Sequence, residues 1–476
     1  MKGISNNIKK VTMVFLICFI GLISYITYFQ INVAPKIVSS QYNQKRVWAK
    51  KNEVLRGSIF DRNMKVLAKS TRTNRDNQKR EYPEGQVFAH PLGYIDISYG
   101  LSGLERRYDK ELSSVSIKDT ISNLMNINKS NKEKYGSSLK TTLDYNLQKL
   151  GWDLLGQRRG AIVALDPKSG EILALVSKPS FNPNDLKGSW EEIVGDKNNP
   201  LLNRTTSGLY TPGSVFKVVT AVSALENIKD TKTRIFEDKG VLVFNSKESL
   251  RNYNGAVLGN IDFKEAMVKS SNVVFGKMGM ELGNNKLKDT AEKFYFNNNI
   301  PSNGMVIENS RFPSIKSYEV GNLAQSAIGQ SSILATPIQM ALVAGTIGND
   351  GVMMKPTLVK EILNNTGEVL DKIKSDSLGR VTSKENAAII KEAMKAVVER
   401  GTGQGAGVYG ISICGKTGTA EHSIEGKAAT PHSWFIGFAP YEDPTIALAV
   451  IVEEGGVGGG IASSIASAMF KKALSK

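Results

Sequence analysis

Residues 11–31, VTMVFLICFIGLISYITYFQI, run for 21 positions without a charge, long enough for a helix to cross a bilayer. A cleavable leader would have a shorter apolar region and a small-residue cleavage site, and the NVAPKIV that follows offers a poor one. The run therefore reads as a retained single-span anchor, which obliges the rest of the chain to fold beside a membrane. Lys2, Lys9 and Lys10 precede it, and Lys36, Lys45 and Arg46 follow it, so flanking charge is nearly balanced. Large C-terminal domains translocate largely regardless of such charge. The expectation is a cytoplasmic tail at 1–10, an anchor at 11–31 and the bulk of the chain outside the cell.

The remaining length can hold a large core and more than one domain. Two cysteines, Cys18 in the apolar run and Cys414 alone, provide no disulfide framework. The net charge of +16 comes without a nucleic-acid motif, which favours an anionic cell surface over nucleic acid as a partner. Residues 32–54 are polar and basic and read as an extended or helical stalk. LRGSIFDRNMKVLAKS (55–70) has a strand–turn–strand pattern with DRN in the turn. Residues 70–140, rich in charge, Asn, Ser and Gly, suggest a small irregular α+β module with no catalytic cluster. From about 139 the texture changes: LKTTLD and a hairpin in GAIVALDPKSGEILALVSKP, then helices from Ser214 to about 346. Three more strands (GISICGKTGTA, SWFIGFAP, TIALAVIVEE) and a final helix from about Ile461 close the chain. Strands at both ends with helices between predict an α/β (α+β) domain at 139–476. Its mixed, mainly antiparallel sheet would be covered by helices and preceded by a stalk and pedestal module at 32–138.

Within this region, YTPGSVFKVVTAVSAL (210–225) places Ser214 directly after Pro-Gly and Lys217 three residues later, at the start of an apolar-periodic helix. Ser214 could be an N-cap with Lys217 a solvated first-turn lysine. A cation is a poor choice near a helix N-terminus, however. A lysine desolvated among Phe216, Val218 and Val219 would have a lowered pKa, as a general base requires. These residues alone leave both readings open, a capped helix start or a nucleophile with its base, and the rest of the chain decides between them. VKSSNVVF adds Ser270 and Asn272 after a helical pattern, and CGKTGTAEH adds Lys416, Thr417, Gly418 and Thr419 on a predicted strand.

In this order, these are the S-x-x-K, S-x-N and K-T-G motifs of penicillin-binding proteins and serine β-lactamases. Ser271 occupies the middle position that class A β-lactamases fill with Asp, which points toward transpeptidases. The chain resembles the class B penicillin-binding proteins over nearly its whole length. RGSIFDRN and GLSGLERRYD look like that family's N-terminal module; NRTTSGLYTPGSVFK, AIGQSSILATPIQMALVAGTIGNDG and HSWFIGFAP look like its transpeptidase domain. The short module and GTAEH…TPHSWFIGFAP are similar to compact class B proteins, of the penicillin-binding protein A type, of Gram-positive bacteria and mycobacteria.

The resemblance implies a D,D-transpeptidase that cross-links peptidoglycan stem peptides and is acylated by β-lactams. Ser214 would attack the penultimate D-Ala carbonyl, and neutral Lys217 would take its proton. Ser270 would relay the proton to the leaving amine while Asn272 holds Lys217 and a substrate amide. Lys416 would supply fixed positive charge, and Thr417 and Thr419 would bind the substrate carboxylate. Gly418 would admit the substrate backbone, and the N–H groups of Ser214 and Thr419 would form an oxyanion hole. No cofactor or metal is implied; Cys414, His422 and His432 match no zinc spacing. The alternatives on the same fold are a D,D-carboxypeptidase, a β-lactamase or a penicillin sensor. Glu281, nine residues after Asn272, is the tempting deacylating base but reads as a helix surface residue. With no glycosyltransferase module before residue 139, the resemblance also implies a SEDS-family glycan polymerase (RodA/FtsW type) as partner.

Overall fold

The computed structural model describes residues 2–38, 48–49, 51–74, 77–116, 118, 120, 133–246, 248–421, 423–424 and 427–475. The apolar run lies in a helix, α1 (Lys2–Tyr28), continued by a π-helical turn at Phe29–Val33. Asn7–Val33 is long and apolar enough to cross a membrane, and none of it is buried against the rest of the protein. Much of the expected stalk, residues 39–47 and 50, lies outside the described residues.

The strand–turn–strand pattern becomes β1 (Ile59–Phe60) and β2 (Val66–Asn74), followed by β3 (Asn77–Glu81). Asp61 makes the turn between β1 and β2, its carboxylate accepting from the N–H groups of Asn63 and Lys65 at 2.8 Å. Next come β4 (Ser138–Thr141), α2 (Tyr145–Leu155), β5 (Gly160–Leu165) and β6 (Ile172–Lys178). The helical middle comprises α3 (Lys217–Asn227), α4 (Phe263–Val268), α5 (Asn272–Lys293) and α6 (Pro337–Gly348), and leads to β7 (Val359–Leu363) and β8 (Val369–Lys372). The chain ends with α7 (Lys384–Arg400), β9 (Cys414–Ala420), β10 (His432–Ala439), β11 (Ile446–Val452) and α8 (Ile461–Leu474).

One sheet is indeed assembled from both ends of the domain, in the order β6-β5-β11-β10-β9. Every pairing in it is antiparallel rather than mixed. Its central strands read as unbroken apolar runs because both faces are covered. Ala161, Val163 and Leu165 of β5 join the helical core that contains α6, while Ile162 and Ala164 join the core that contains Ile465 and Phe470 of α8. All twelve residues of α6 are buried, so this helix is the hub of the domain. Thr336 caps it, accepting from Gln339 N–H at 3.3 Å, with Pro337 in the first turn.

Parallel pairing does occur in a second sheet, ordered β8-β7-β4-β1-β2-β3, in which β4 runs parallel to β1 and antiparallel to β7. This sheet joins N-terminal strands to strands from the domain's far end. RGSIFDRN and GLSGLERRYD meet behind it: buried Glu105 receives Arg56 at 2.6 Å, Arg80 at 2.7 Å and the Tyr82 hydroxyl at 3.1 Å. Those cations hold its carboxyl below the ordinary range against the opposing effect of burial.

Candidate active site

The Pro-Gly before Ser214 does more than start a helix. Gly213 has φ +57°, and its N–H donates to Gly329 O at 2.9 Å. A Cβ there would stand 2.5 Å from Thr419 O, so only glycine lets this turn lie against β9. Residues Gly213–Phe216 form a 3₁₀ turn, and α3 begins at Lys217 rather than at the serine. Ser214 caps nothing, which removes the N-cap reading. Trp434 of β10, fully buried, pins the approach by donating its indole N–H to Thr211 O at 3.1 Å.

Lys217 is fully buried, not solvated. Its Nζ lies 2.7 Å from Ser270 O, 2.7 Å from Asn272 Oδ1 and 3.2 Å from Ser270 Oγ. Burial, reinforced by Lys416 and opposed by Asp238, pushes its pKa well below the ordinary lysine value. Ser270 reaches it from a left-handed backbone, φ +54°, in the break between α4 and α5. Ser271 caps α5, its Oγ accepting from Val274 N–H at 3.0 Å, and donates to Asp238 Oδ2 at 2.5 Å. The position that class A β-lactamases give to Asp thus has its carboxylate supplied from behind, by Asp238.

β9 is an edge strand, carrying Lys416, Thr417, Gly418 and Thr419 past the Ser214 turn. Lys416 is fully buried, with Nζ 2.9 Å from Ser270 Oγ and 3.0 Å from Thr417 O. Ser270 Oγ therefore bridges two lysines. Burial lowers the pKa of Lys416 to about 7, so its charge titrates near neutrality instead of being fixed. Thr417 Oγ1 lies 2.7 Å from Thr402 Oγ1, and Thr419 Oγ1 accepts from Gly458 N–H at 3.2 Å. Gly418 is glycine for a reason other than substrate access. A Cβ there would meet Pro212 O at 2.9 Å and Trp434 Cβ at 3.2 Å, wedging the strand from the serine turn.

Ser214, Ser270, Asn272, Thr417 and Thr419 line one cavity of about 940 Å³, together with Thr402 and Gln330. Glu281 lies outside it, exposed and paired with Arg234 at 2.7 Å. Cys414 and His432 sit at opposite ends of the β9–β10 pair, where Cys414 faces Phe438 and His432 faces Ala420. His432 Nδ1 accepts from Glu454 N–H at 3.1 Å, and burial pushes the Cys414 thiol up. His422 lies outside the described residues. Among the described residues no group of three or more His, Cys, Asp or Glu could hold a metal.

The model for the penicillin binding protein transpeptidase domain matches residues 160–475. The chain belongs to this family. The model for the penicillin binding protein A dimerisation domain matches residues 56–139. The chain is 32% identical to the peptidoglycan D,D-transpeptidase PbpA of Mycolicibacterium smegmatis, over 99% of each protein. It is 30% identical to the peptidoglycan D,D-transpeptidase MrdA of Acinetobacter baumannii, over 80% of this chain and 64% of that protein. Among solved structures, the penicillin G acyl-enzyme complex of penicillin-binding protein A from M. tuberculosis superposes with a TM-score of 0.82 at 31% identity. That match covers 89% of this chain and 100% of the other.

Motif spacing in this family member leaves several supporting residues unseen. Asp238 is fully buried and also accepts from Asn252 Nδ2 at 2.8 and 2.9 Å and from Gly240 N–H at 2.8 Å. Asn252 Oδ1 in turn accepts from the N–H groups of Asn272 and Val273 at 2.8 and 3.1 Å, satisfying the first donors of α5. Glu453 gathers Arg204 and the Tyr210 hydroxyl, both at 2.7 Å, and ties down the segment leading to Ser214. The one signal for Asp238 is its glycine two residues on, an ordinary Asx-turn pattern.

Proposed function

We propose that this protein is a peptidoglycan D,D-transpeptidase working through a Ser214 acyl-enzyme. The observation that carries the reading is the Lys217–Ser270–Lys416 contact beside Ser214, with both lysines fully buried and both shifted toward neutrality. Ser214 Oγ attacks the penultimate D-Ala carbonyl of a donor stem peptide, and its proton passes to neutral Lys217 Nζ. Lys217 can spend two N–H donors on Ser270 O and Asn272 Oδ1 and offer its lone pair. The N–H groups of Ser214 and Thr419 receive the oxyanion. The C–N bond then breaks, Ser270 Oγ relays a proton to the departing D-Ala amine, and the acyl group stays on Ser214. An amine of a second stem peptide attacks the ester, forming the cross-link and returning the Ser214 hydroxyl.

Lys416, when protonated, and the hydroxyls of Thr417 and Thr419 bind the donor's terminal carboxylate. β-Lactams present the same carbonyl and carboxylate and occupy the same site. α1 anchors the protein in the cell membrane as a single pass, with the catalytic domain extracellular. The N-terminal module, at 32–138 with its stalk, docks a SEDS-family glycan polymerase of the RodA/FtsW type. Intact-mass analysis after incubation with a synthetic stem peptide, with and without an acceptor amine, tests the reaction. Loss of one D-Ala and gain of the acceptor supports transpeptidation. Hydrolysed peptide alone, with acceptor present, would make the protein a carboxypeptidase.

A further inference from the structure

Strand side chains alternate between faces, so residues two apart share one. Thr417 and Thr419 line the cavity, and so does Glu421, one residue past the end of β9; Gly418 and Ala420 do not. The alternation therefore extends the threonine row by a carboxylate. Among the described residues Glu421 is the one acid lining the cavity, whose charged wall otherwise consists of Arg251 and Lys269. Both cations belong to the Asn272 side: Arg251 O accepts from Asn272 Nδ2 at 2.8 Å, and Lys269 directly precedes Ser270. Glu421 is exposed and has no ion-pair partner among the described residues.

The donor's direction along the strand fixes what Glu421 can meet; this step rests on the transpeptidase reading above. With the terminal carboxylate at Thr417 and the scissile carbonyl between Ser214 and Thr419, the donor runs from Thr417 toward Glu421. At roughly 3.3 Å per strand residue, Glu421 stands about 7 Å beyond Thr419. The donor residue preceding the penultimate D-Ala, one Cα step of ~3.8 Å further along, places its side chain within reach of that carboxylate. We infer that Glu421 is a specificity-determining residue that recognises an ammonium group on the donor residue immediately before the two D-alanines.

The test uses the full chain and two thioester donors, acyl-Lys-D-Ala-thioester and acyl-norleucine-D-Ala-thioester, which differ at the ammonium. Thiol release gives kcat/KM for each. One solvent-screened ion pair corresponds to a preference of up to about fivefold, so wild type is expected to favour lysine by about that factor. The preference should weaken as salt rises. Glu421→Gln should bring the ratio to about 1 and Glu421→Lys should invert it, with thermal melts verifying that each variant is folded. A lysine-to-norleucine ratio that is the same in wild type and both variants overturns the assignment. So does a longer-lived penicillin adduct in Glu421→Gln, which would make Glu421 a base for water. Failure of wild type to release thiol from either donor would instead overturn the transpeptidase reading beneath it.

Discussion

Replacing Asp238 by alanine should damage both stability and catalysis, although Asp238 does not line the cavity. The substitution strips acceptors from three buried or partly buried donors: Ser271 Oγ, Asn252 Nδ2 and Gly240 N–H. Asn252 retains one contact, to Ala256 O at 2.9 Å. Each donor left unpaired costs about 1–3 kcal/mol, so roughly 3–5 kcal/mol is expected in all after partial relaxation. At about 2 °C per kcal/mol for a domain this large, the melting temperature should fall by roughly 6–10 °C. The catalytic effect follows from Asn252, which holds the first turn of α5 and through it Ser270 and Asn272. Misplacement by about 1 Å can cost a factor of about 100 in rate, so the second-order rate of penicillin acylation should drop roughly 10- to 100-fold. Removing the anion also removes the influence that holds the Lys217 pKa up, so the acidic limb of the rate profile should move to lower pH. Thermal denaturation and stopped-flow acylation measure both effects. A folded Asp238→Ala protein melting within about 1 °C of wild type and acylating within twofold would refute the reasoning.

Lys217→Arg should slow acylation by at least about 100-fold in protein that circular dichroism shows to be folded, because guanidinium stays protonated and general-base catalysis contributes about 10²–10⁴-fold. Near-normal acylation would assign the proton to another group, with Lys416 the next to test. Lys416, at about pKa 7, is charged below that pH and neutral above it. The second-order rate of acylation by a carboxylate-bearing penicillin should therefore fall as pH rises through about 7, whereas that by its methyl ester should lack this limb. A 139–476 fragment would lose β1, β2 and β3 and expose the edge of β4. It should melt below the 56–476 chain while its folded fraction still labels with penicillin; equal melting would show that the shared sheet contributes little.

The legible parts of the fold were those with strong local periodicity. β5, β6, β10 and β11 announce themselves as apolar runs because both faces of their sheet are covered, and α8 starts where its pattern does. β1 is two residues long and pairs in parallel with a strand some eighty positions away, so no local pattern foretells that the pedestal and the domain share a sheet. At the site, the motif residues could be found because their order is distinctive. Asp238 and Asn252 could not, since three-residue strands separate them from anything periodic. The charge of Lys416 depends on burial by the tertiary fold, and the need for Gly418 arises from Pro212 and Trp434, which approach only in three dimensions.

Acylation of Ser214 is the step on which every other step of the reaction depends. Purified 32–476 protein incubated with penicillin G should gain the mass of one drug molecule, and peptide mapping should place it on the peptide containing Ser214. Ser214→Ala should gain none. Undiminished labelling of a folded Ser214→Ala protein, or an adduct on a peptide that lacks Ser214, would contradict it.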